Sequence, residues 1–159
     1  MEDDYIEEAI QGYTNCLALN GPAGLDFLNA RVLHRFTGVY RLKQGVLINT
    51  FLHDKCGEVI PAFLKEVALE DSFCQFVLRD GFFMTLNSSA DRRLDGHKYQ
   101  GALGSYYGVP LLNNSAQLYG TLCHFDVEQY EIADEEFKFL QLAAKVLPKY
   151  LCRTELIAG

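Results

Sequence analysis

The chain contains five cysteines and four histidines, the residue types that could serve as nucleophiles, redox groups or metal ligands. His53 and Cys56 are close enough in sequence to bind one metal ion, but no third or fourth ligand follows at a matching spacing. The cysteines are scattered, odd in number and form no Cys-x-x-Cys pair, which indicates neither a disulfide framework nor a zinc site. We therefore predict no metal centre and interpret His53 and Cys56 as an ordinary loop pair.

Two other histidines differ in their predicted surroundings. Residues 87–101 are polar and rich in turn formers, and a loop of that length between strands is usually functional or mobile. His97 lies in this loop, so we expect it to contact a ligand. His34 lies on a predicted helix and is interpreted as a surface residue.

The elements that would position these residues are organised around residues 104–126. Two runs of aromatic and aliphatic residues there flank a polar link at 113–115. This pattern predicts a β-hairpin, because the link tolerates turn conformations. Both runs are nearly free of charge, so we expect central strands buried on both faces.

The rest of the chain must cover that hairpin. We predict helices over 3–19 and 23–36, strands over 39–42 and 46–52 joined by a tight turn at 43–45, and a loop over 53–70 with a short helix near 62–66. Asp71 is expected to cap a short helix that Gly81 closes, before a strand over 82–86. A last helix begins at Asp134 and is expected to kink or end near Leu147, because Pro148 cannot donate a backbone hydrogen bond.

The last helix has two apolar faces, which raises the question of what covers each. Phe137 and Leu140 lie on one face, and Phe139 and Leu142 lie on the other. One face must cover the sheet. The second face needs either the N-terminal helix or a second subunit, and we predict a homodimer through the first and last helices.

Length and composition exclude several classes. A chain of 159 residues with 49% hydrophobic residues predicts one packed domain, divided into N-terminal helices (1–36), a sheet with a pocket layer (38–126) and a C-terminal helix (134–156). The net charge of -7, without a basic cluster, argues against nucleic-acid binding. No membrane span or signal peptide is recognisable, so we expect a soluble, cytoplasmic protein.

Two motifs suggest a family. Ser-Tyr-Tyr-Gly-Val-Pro-Leu at 105–111 and Gly-Thr-Leu-Cys at 120–123, in that order and at that separation, resemble those of a GAF domain. The resemblance implies an α+β fold of the profilin or PAS kind. Such a fold has an antiparallel sheet of five or six strands, terminal helices on one face, and loops and short helices on the ligand face. It also implies a sensory or regulatory module that binds a small molecule, without catalysis, and signals through its terminal helices, often as a dimer, to a separate effector.

The same resemblance leaves other functions to weigh. Free methionine-(R)-sulfoxide reductases share the GAF fold and need an attacking and a resolving thiol. Cys74 falls near one of their cysteine positions, but the loop 87–101 contains no cysteine. Tetrapyrrole-binding relatives attach a chromophore to a cysteine, yet Cys123 lies inside a strand, where GAF domains carry a cysteine without chromophore. The Asn-Lys-Phe-Asp-Glu motif of phosphodiesterase GAF domains is missing, so the sequence leaves the ligand or cofactor unknown.

A ligand in this fold would lie between the sheet and the layer formed by the Asp71 helix and the long loop. Strand alternation places Tyr119 and Phe125 on one face, and the mixture of aromatic, hydroxyl and thiol groups there suits an enclosed small-molecule site. The same side chains could instead simply fill a core. The predicted ligand-binding residues are Cys74, Phe76, Phe83, His97, Tyr107, Tyr119, Thr121, Cys123 and Phe125.

Overall fold

A computed structural model of the chain describes residues 2–20, 24–57, 65–98, 100–113 and 115–149. The helices and strands are α1 Glu2–Asn20, α2 Gly24–Asn29, β1 Phe36–Lys43, β2 Val46–Asp54, β3 Glu66–Ala68, α3 Cys74–Asp80, β4 Phe83–Thr85, β5 Ser105–Leu112, β6 Leu118–Asp126 and α4 Asp134–Val146. Six antiparallel strands form one sheet in the order β3-β2-β1-β6-β5-β4. The predicted α+β class is confirmed. No helix within these ranges has both the length and the apolarity to cross a membrane.

The hairpin of β5 and β6 lies inside the sheet, as its lack of charge predicts. Strand β6 is flanked by β1 and β5, and it is buried from Tyr119 to Asp126. Two hydrophobic clusters pack against the two faces of the sheet. On the helix side, α1, α2 and α4 contribute Tyr13, Leu28, Phe139 and Leu140 around Leu122. On the α3 side, α3 and β4 contribute Phe76, Val77 and Phe83 around Cys123 and Phe125.

The second apolar face of α4 is covered within the chain at Phe139. The Phe139 ring centroid lies 6.5 Å from that of Tyr13 and 6.4 Å from that of Phe27. The Arg31 guanidinium lies 4.2 Å from the centre of the same ring and forms an ion pair with Glu136. The N-terminal helices thus cover this part of the face, and Phe139 needs no second subunit. Homodimerisation stays a prediction.

Two boundaries differ from the sequence-based expectation. Helix α2 ends at Asn29, and Phe36 begins a strand. The Asn29 side chain turns the chain here: its Nδ2 donates to the His34 carbonyl oxygen at 3.1 Å and to Thr37 Oγ1 at 2.8 Å. Phe36 can then pair with Phe125 across β1 and β6. The helix predicted over 23–36 is therefore wrong in its second half.

The segment before α3 also differs. Glu66 lies in the edge strand β3 and pairs with Ile48, whereas we predicted a short helix at 62–66; residues 58–64 lie outside the described ranges. A 3-10 turn spans Leu69–Asp71, and α3 begins at Cys74. Asp71 does not cap α3. The hydroxyl of Ser72 accepts from the Gln75 backbone N–H at 3.1 Å instead.

Several turn predictions are confirmed. Gln44 and Gly45 join β1 to β2 with positive φ values of 53° and 77°. Gly81 closes α3 in the left-handed conformation, with φ 86°. Helix α4 begins at Asp134 and ends at Val146, just before Pro148, and the part predicted beyond residue 149 lies outside the described ranges.

Candidate functional site

A small hollow separates the sheet from the segment that leads into α3. Its volume is about 50 Å³. Pockets that enclose drug-sized ligands measure on the order of 300 Å³ or more, so only a few atoms fit inside. The described residues that line the hollow are Tyr40, Leu47, Val67, Asp71, Ser72, Phe73, Cys74, Leu103, Tyr106 and Phe125.

The polar groups at the base of the hollow bind one another. Cys74 Sγ lies 3.2 Å from the hydroxyl of Tyr106 and 3.2 Å from Thr121 Oγ1. The Tyr106 hydroxyl also hydrogen-bonds to the Cys123 thiol, whose sulfur lies 3.7 Å from the Gly38 carbonyl oxygen. Two thiols, a phenol and a hydroxyl therefore form one continuous chain of hydrogen bonds beneath an apolar space.

Both thiols in this chain are neutral. Burial is the largest influence on each: it raises the pKa of Cys74 and raises that of Cys123 well above its usual value. Cys74 is the first residue of α3, a position that usually stabilises a thiolate, but the loss of hydration outweighs the hydrogen bonds that favour the charged form. The site thus lacks the activated thiolate on which nucleophilic thiol chemistry depends.

A glycine allows Tyr106 to reach the thiols. Gly108 lies two residues further along β5 and therefore faces the same side as Tyr106. A Cβ atom on Gly108 would lie 2.6 Å from Cε1 and from the hydroxyl oxygen of Tyr106. The absence of a side chain lets the phenol ring lie along the strand, with its hydroxyl at Cys74.

The structure brings together seven of the nine predicted ligand-binding residues on the α3 side. Thr121 belongs to this group through its bond to Cys74, and His97 through its ring contacts with Phe73 and Phe76 at 4.9 and 6.0 Å. Only Cys74 and Phe125 line the hollow directly. Their role in binding stays a prediction. The seven are Cys74, Phe76, Phe83, His97, Thr121, Cys123 and Phe125.

The placement predicted for Tyr107 and Tyr119 is wrong, since both side chains lie on the helix side. Tyr107 alternates with Tyr106 along β5 and contacts His34 and Phe137, with ring centroids 5.4 and 6.3 Å away. Tyr119 packs into the helix-side cluster. A register shift reverses its direction: Leu111 pairs with Gly120 and Leu112 with Leu118, so Tyr119 has no partner across β5.

Sequence reasoning missed most of the residues that line the hollow. Tyr106 could have been found, because it shares a strand face with Gly108 and Gly108 leaves room for a ring. Asp71, Ser72 and Phe73 belong to the segment that the sequence placed over the site, although they were not named as contacts. The others come from distant parts of the chain, and no local pattern marks them as neighbours. They are Tyr40, Leu47, Val67 and Leu103.

The charged group of the hollow, the Asp71 carboxylate, lies at its mouth. Asp71 Oδ2 lies 3.6 Å from Lys98 Nζ, and both side chains reach solvent. His97 covers the adjoining surface, with its Nε2 3.2 Å from the Ser72 carbonyl oxygen. A ligand that enters would pass this rim of exposed polar groups before it reaches apolar walls.

A second polar group of residues lies on the helix side, and it corrects the prediction for His34. His34 is fully buried, not a surface residue. Its Nε2 lies 3.0 Å from the Tyr130 carbonyl oxygen, which can only accept, so Nε2 carries the proton. Its buried Nδ1 has no hydrogen-bond partner among the described residues. The ring stacks on that of His124, with centroids 6.2 Å apart.

A directed chain of hydrogen bonds fixes the protonation of His124. Lys55 Nζ donates to Asn29 Oδ1 at 2.7 Å, which orients the amide so that its NH₂ donates to Thr37 Oγ1 at 2.8 Å. The Thr37 hydroxyl is left to donate its own proton to Nδ1 of His124, 2.7 Å away. His124 is therefore neutral. Burial, with smaller effects of His34 and Lys55, lowers its pKa to about 3.

The histidine and cysteine considered first as metal ligands lie apart from the hollow. His53 Nδ1 lies 2.8 Å from Asp26 Oδ1, and Cys56 is exposed. In the described ranges, no three His, Cys, Asp or Glu side chains are grouped so that they could hold a metal ion.

The chain was compared with known proteins at the level of sequence and of structure. Neither a family model nor a curated protein matches its sequence. Solved structures do match. The GAF domain from Acinetobacter phosphoenolpyruvate-protein phosphotransferase has a TM-score of 0.70 at 14% identity, over 100% of this chain and 97% of that one. Free methionine-R-sulfoxide reductase from Neisseria meningitidis, in complex with its substrate, has a TM-score of 0.72 at 15% identity, over 96% and 91%.

A third match broadens the range of functions among these structures. The chromophore-binding domain of a bacteriophytochrome from R. palustris has a TM-score of 0.74 at 10% identity, over 100% of this chain and 64% of that one. At such low identities the likeness shows the fold alone, and the three matches are a GAF domain, a reductase and a chromophore-binding domain. The six-stranded antiparallel sheet, with terminal helices on one face and α3 on the other, agrees with all three matches. The protein therefore has the GAF fold.

Proposed function

We propose that this chain is a sensory or regulatory GAF-type module, without catalytic activity, that binds a small molecule in the hollow and transmits occupancy to its terminal helices. The observation that carries the proposal is the apolar hollow with a base of neutral, mutually bonded groups. Such a base offers a guest no ionised nucleophile, and the apolar walls above it supply the contacts.

The arrangement of the sheet supplies a route for the signal. Tyr106 and Cys123 lie beneath the hollow on β5 and β6, while Val109 and Leu122 of the same strands face the helix-side cluster. A guest that shifts β5 or β6 would therefore change the surface on which α4 packs. The same route could serve a separate effector protein or a homodimer, the two partners that the family resemblance implies.

The size of the hollow argues against two of the ligand classes known for this fold. A tetrapyrrole or a cyclic nucleotide has far more atoms than about 50 Å³ can accept. Either ligand would require α3 or the loop after β4 to move away from the sheet. The proposal therefore favours a smaller molecule.

The thiol-reductase alternative predicts a reactive cysteine, and the structure supports the opposite expectation. With an alkylating reagent near neutral pH, we expect exposed Cys56 to be modified at least about tenfold faster than Cys74 or Cys123, because those two are buried and their thiolates are disfavoured. Peptide mapping by mass spectrometry measures the three rates separately.

The same preparation should show no turnover of free methionine sulfoxide. If turnover occurs and is lost in Cys74→Ala or Cys123→Ala, the chain is an enzyme and the non-catalytic proposal fails. Cys56→Ala serves as the matched control, since its thiol lies at the surface, away from the hollow.

Binding itself is tested by thermal unfolding in the presence of a small-molecule library. A ligand that binds only the folded state stabilises it by about 3 kcal/mol at a hundredfold excess over its Kd. We expect at least one compound to raise the Tm, and Leu103→Phe, which extends a lining side chain into the hollow, to abolish that response. Leu33→Phe, on an exposed side chain, should keep it. A library with no effect, or a response that survives Leu103→Phe, contradicts binding in the hollow.

A further inference from the structure

In the described part of the chain, no fully buried side-chain nitrogen or oxygen atom at the hollow lacks a hydrogen-bond partner. Among the described residues, the buried side-chain nitrogen or oxygen atoms without a partner are the Tyr13 hydroxyl, His34 Nδ1 and Asn87 Oδ1, and none of these residues lines the hollow. The polar groups at its base are already bonded to each other. A ligand group that depends on new hydrogen bonds would have to break this chain, and a broken bond leaves a buried group unsatisfied.

The described lining residues also place no countercharge in the interior of the hollow. Asp71 is the charged residue among the described lining residues, and its carboxylate lies at the mouth beside Lys98. A phosphate, a carboxylate or an ammonium group placed beyond this rim would lose its hydration without gaining an ion pair. Burial of an unpaired charge is strongly unfavourable.

The volume limits the number of atoms. An apolar cavity of about 150 Å³ stays dry and accommodates benzene or xenon. The hollow, at about 50 Å³, is roughly a third of that size. It therefore fits a guest of only a few heavy atoms, and its apolar walls favour a guest over water.

We propose, on the basis of the binding function above, that the hollow takes an uncharged, largely apolar molecule of a few heavy atoms. The aliphatic side chains of Leu47, Val67 and Leu103 and the rings of Phe73 and Phe125 would contact the guest. The thiol and phenol at the base remain bonded to one another and take no part in holding it. This ligand class excludes amino acids, nucleotides and tetrapyrroles.

Xenon is a suitable probe, because it is uncharged, apolar and small. In methyl-resolved NMR spectra of the whole chain under xenon pressure, we expect concentration-dependent shifts at Leu47, Val67 and Leu103. The methyl groups of Leu111 and Leu140 on the helix side serve as internal controls and should not shift. Leu103→Phe should abolish the shifts at Leu47 and Val67, whereas the surface variant Leu33→Phe should retain them. Val67→Leu, a smaller intrusion, should weaken them if Leu103→Phe does not fold.

The charged probes are a cyclic nucleotide and a free amino acid, applied to the wild type, Leu103→Phe and Leu33→Phe. If either shifts the hollow methyl groups and xenon does not, the ligand class is wrong but the binding function stands. If no probe of either kind shifts them, the hollow is closed and both proposals fail. Xenon shifts that are unchanged in Leu103→Phe place the gas elsewhere and overturn the ligand class.

Discussion

Lowering the pH from about 7 to about 4 is expected to reduce the free energy of unfolding by about 3 kcal/mol through His124 alone. The cause is burial, which lowers the pKa of His124 from about 6.5 in an unfolded chain to about 3 in the folded one. Between these values the unfolded state binds a proton that the folded state excludes. Stability is therefore fully present above the unfolded pKa and falls as the pH drops toward the folded pKa.

The surroundings of His124 explain why protonation is so unfavourable. The Thr37 hydroxyl donates a hydrogen bond to Nδ1 of His124. A proton added to Nδ1 would therefore face another donor, whose orientation is fixed by its bonds to Asn29 and, through Asn29, to Lys55. Lys55 also adds positive charge nearby. The pKa of His34 is lowered as well, chiefly by burial, so the second histidine changes stability in the same direction. For His34, the hydrogen bond to the Tyr130 backbone and the charge of Asp126 both raise the pKa, but the lowering by burial is larger.

His124→Asn tests the assignment, because a carboxamide oxygen can accept from Thr37 but does not titrate in this range. We expect a smaller pH dependence between about pH 6.5 and 4 in the variant, measured by urea unfolding with fluorescence or circular dichroism. Asp91 does not confuse the result. Its hydrogen bonds to Arg93 lower its pKa to about 2, so its contribution is lost only at more acidic pH. Equal slopes in the two proteins would contradict the role of His124.

Phe73→Ala is expected to destabilise the fold by about 3–5 kcal/mol, because it removes a buried ring and leaves a cavity. Phe73 is 4% exposed. Its ring centroid lies 4.9 Å from that of His97, 5.7 Å from that of Tyr106 and 6.3 Å from that of Phe83. Because Phe73 also lines the hollow, the new space should join the existing one.

Benzene provides the second measurement for this variant. A ring-sized, apolar space beside the hollow should bind benzene, so we expect benzene to raise the Tm of Phe73→Ala and not that of the wild type. Phe82→Ala is the control: the same change at a ring that is 45% exposed should cost about 1 kcal/mol or less and gain nothing from benzene. If Phe73→Ala lowers the free energy of unfolding no more than Phe82→Ala does, Phe73 is not part of a packed wall of the hollow.

The hairpin at 104–126 and the short turns could be predicted because their signals are local. A run of uncharged residues was enough to predict strand β6. The turns at Gly45 and Gly81 could be predicted because glycine readily adopts the positive φ that both positions have. Helix α4 began at Asp134 because acids in the first turn suit the helix dipole, and Pro148 marked the region of its end. Each of these features depends on neighbours along the chain.

The direction of single side chains was predicted less well. Alternation correctly placed Thr121, Cys123 and Phe125 on one face, yet it failed for Tyr119, because the register shift against β5 is a property of two strands together. For Tyr107, the sequence alone did not show which of two adjacent tyrosines faces α3. Phe36 was assigned to a helix, since helical spacing continued past Asn29 and nothing local revealed its pairing with Phe125.

By itself, the sequence determined a nearly uncharged central hairpin with amphipathic helices to cover it, and its two strand motifs indicated the GAF fold. Only the tertiary structure decided that the α3 side of the sheet is nearly filled, that the thiols of Cys74 and Cys123 are buried and neutral, and that two histidines lie buried beneath the helices. The physical reason is that cavity volume and proton affinity depend on atoms contributed by segments far apart in sequence. No local spacing encodes how closely those segments approach.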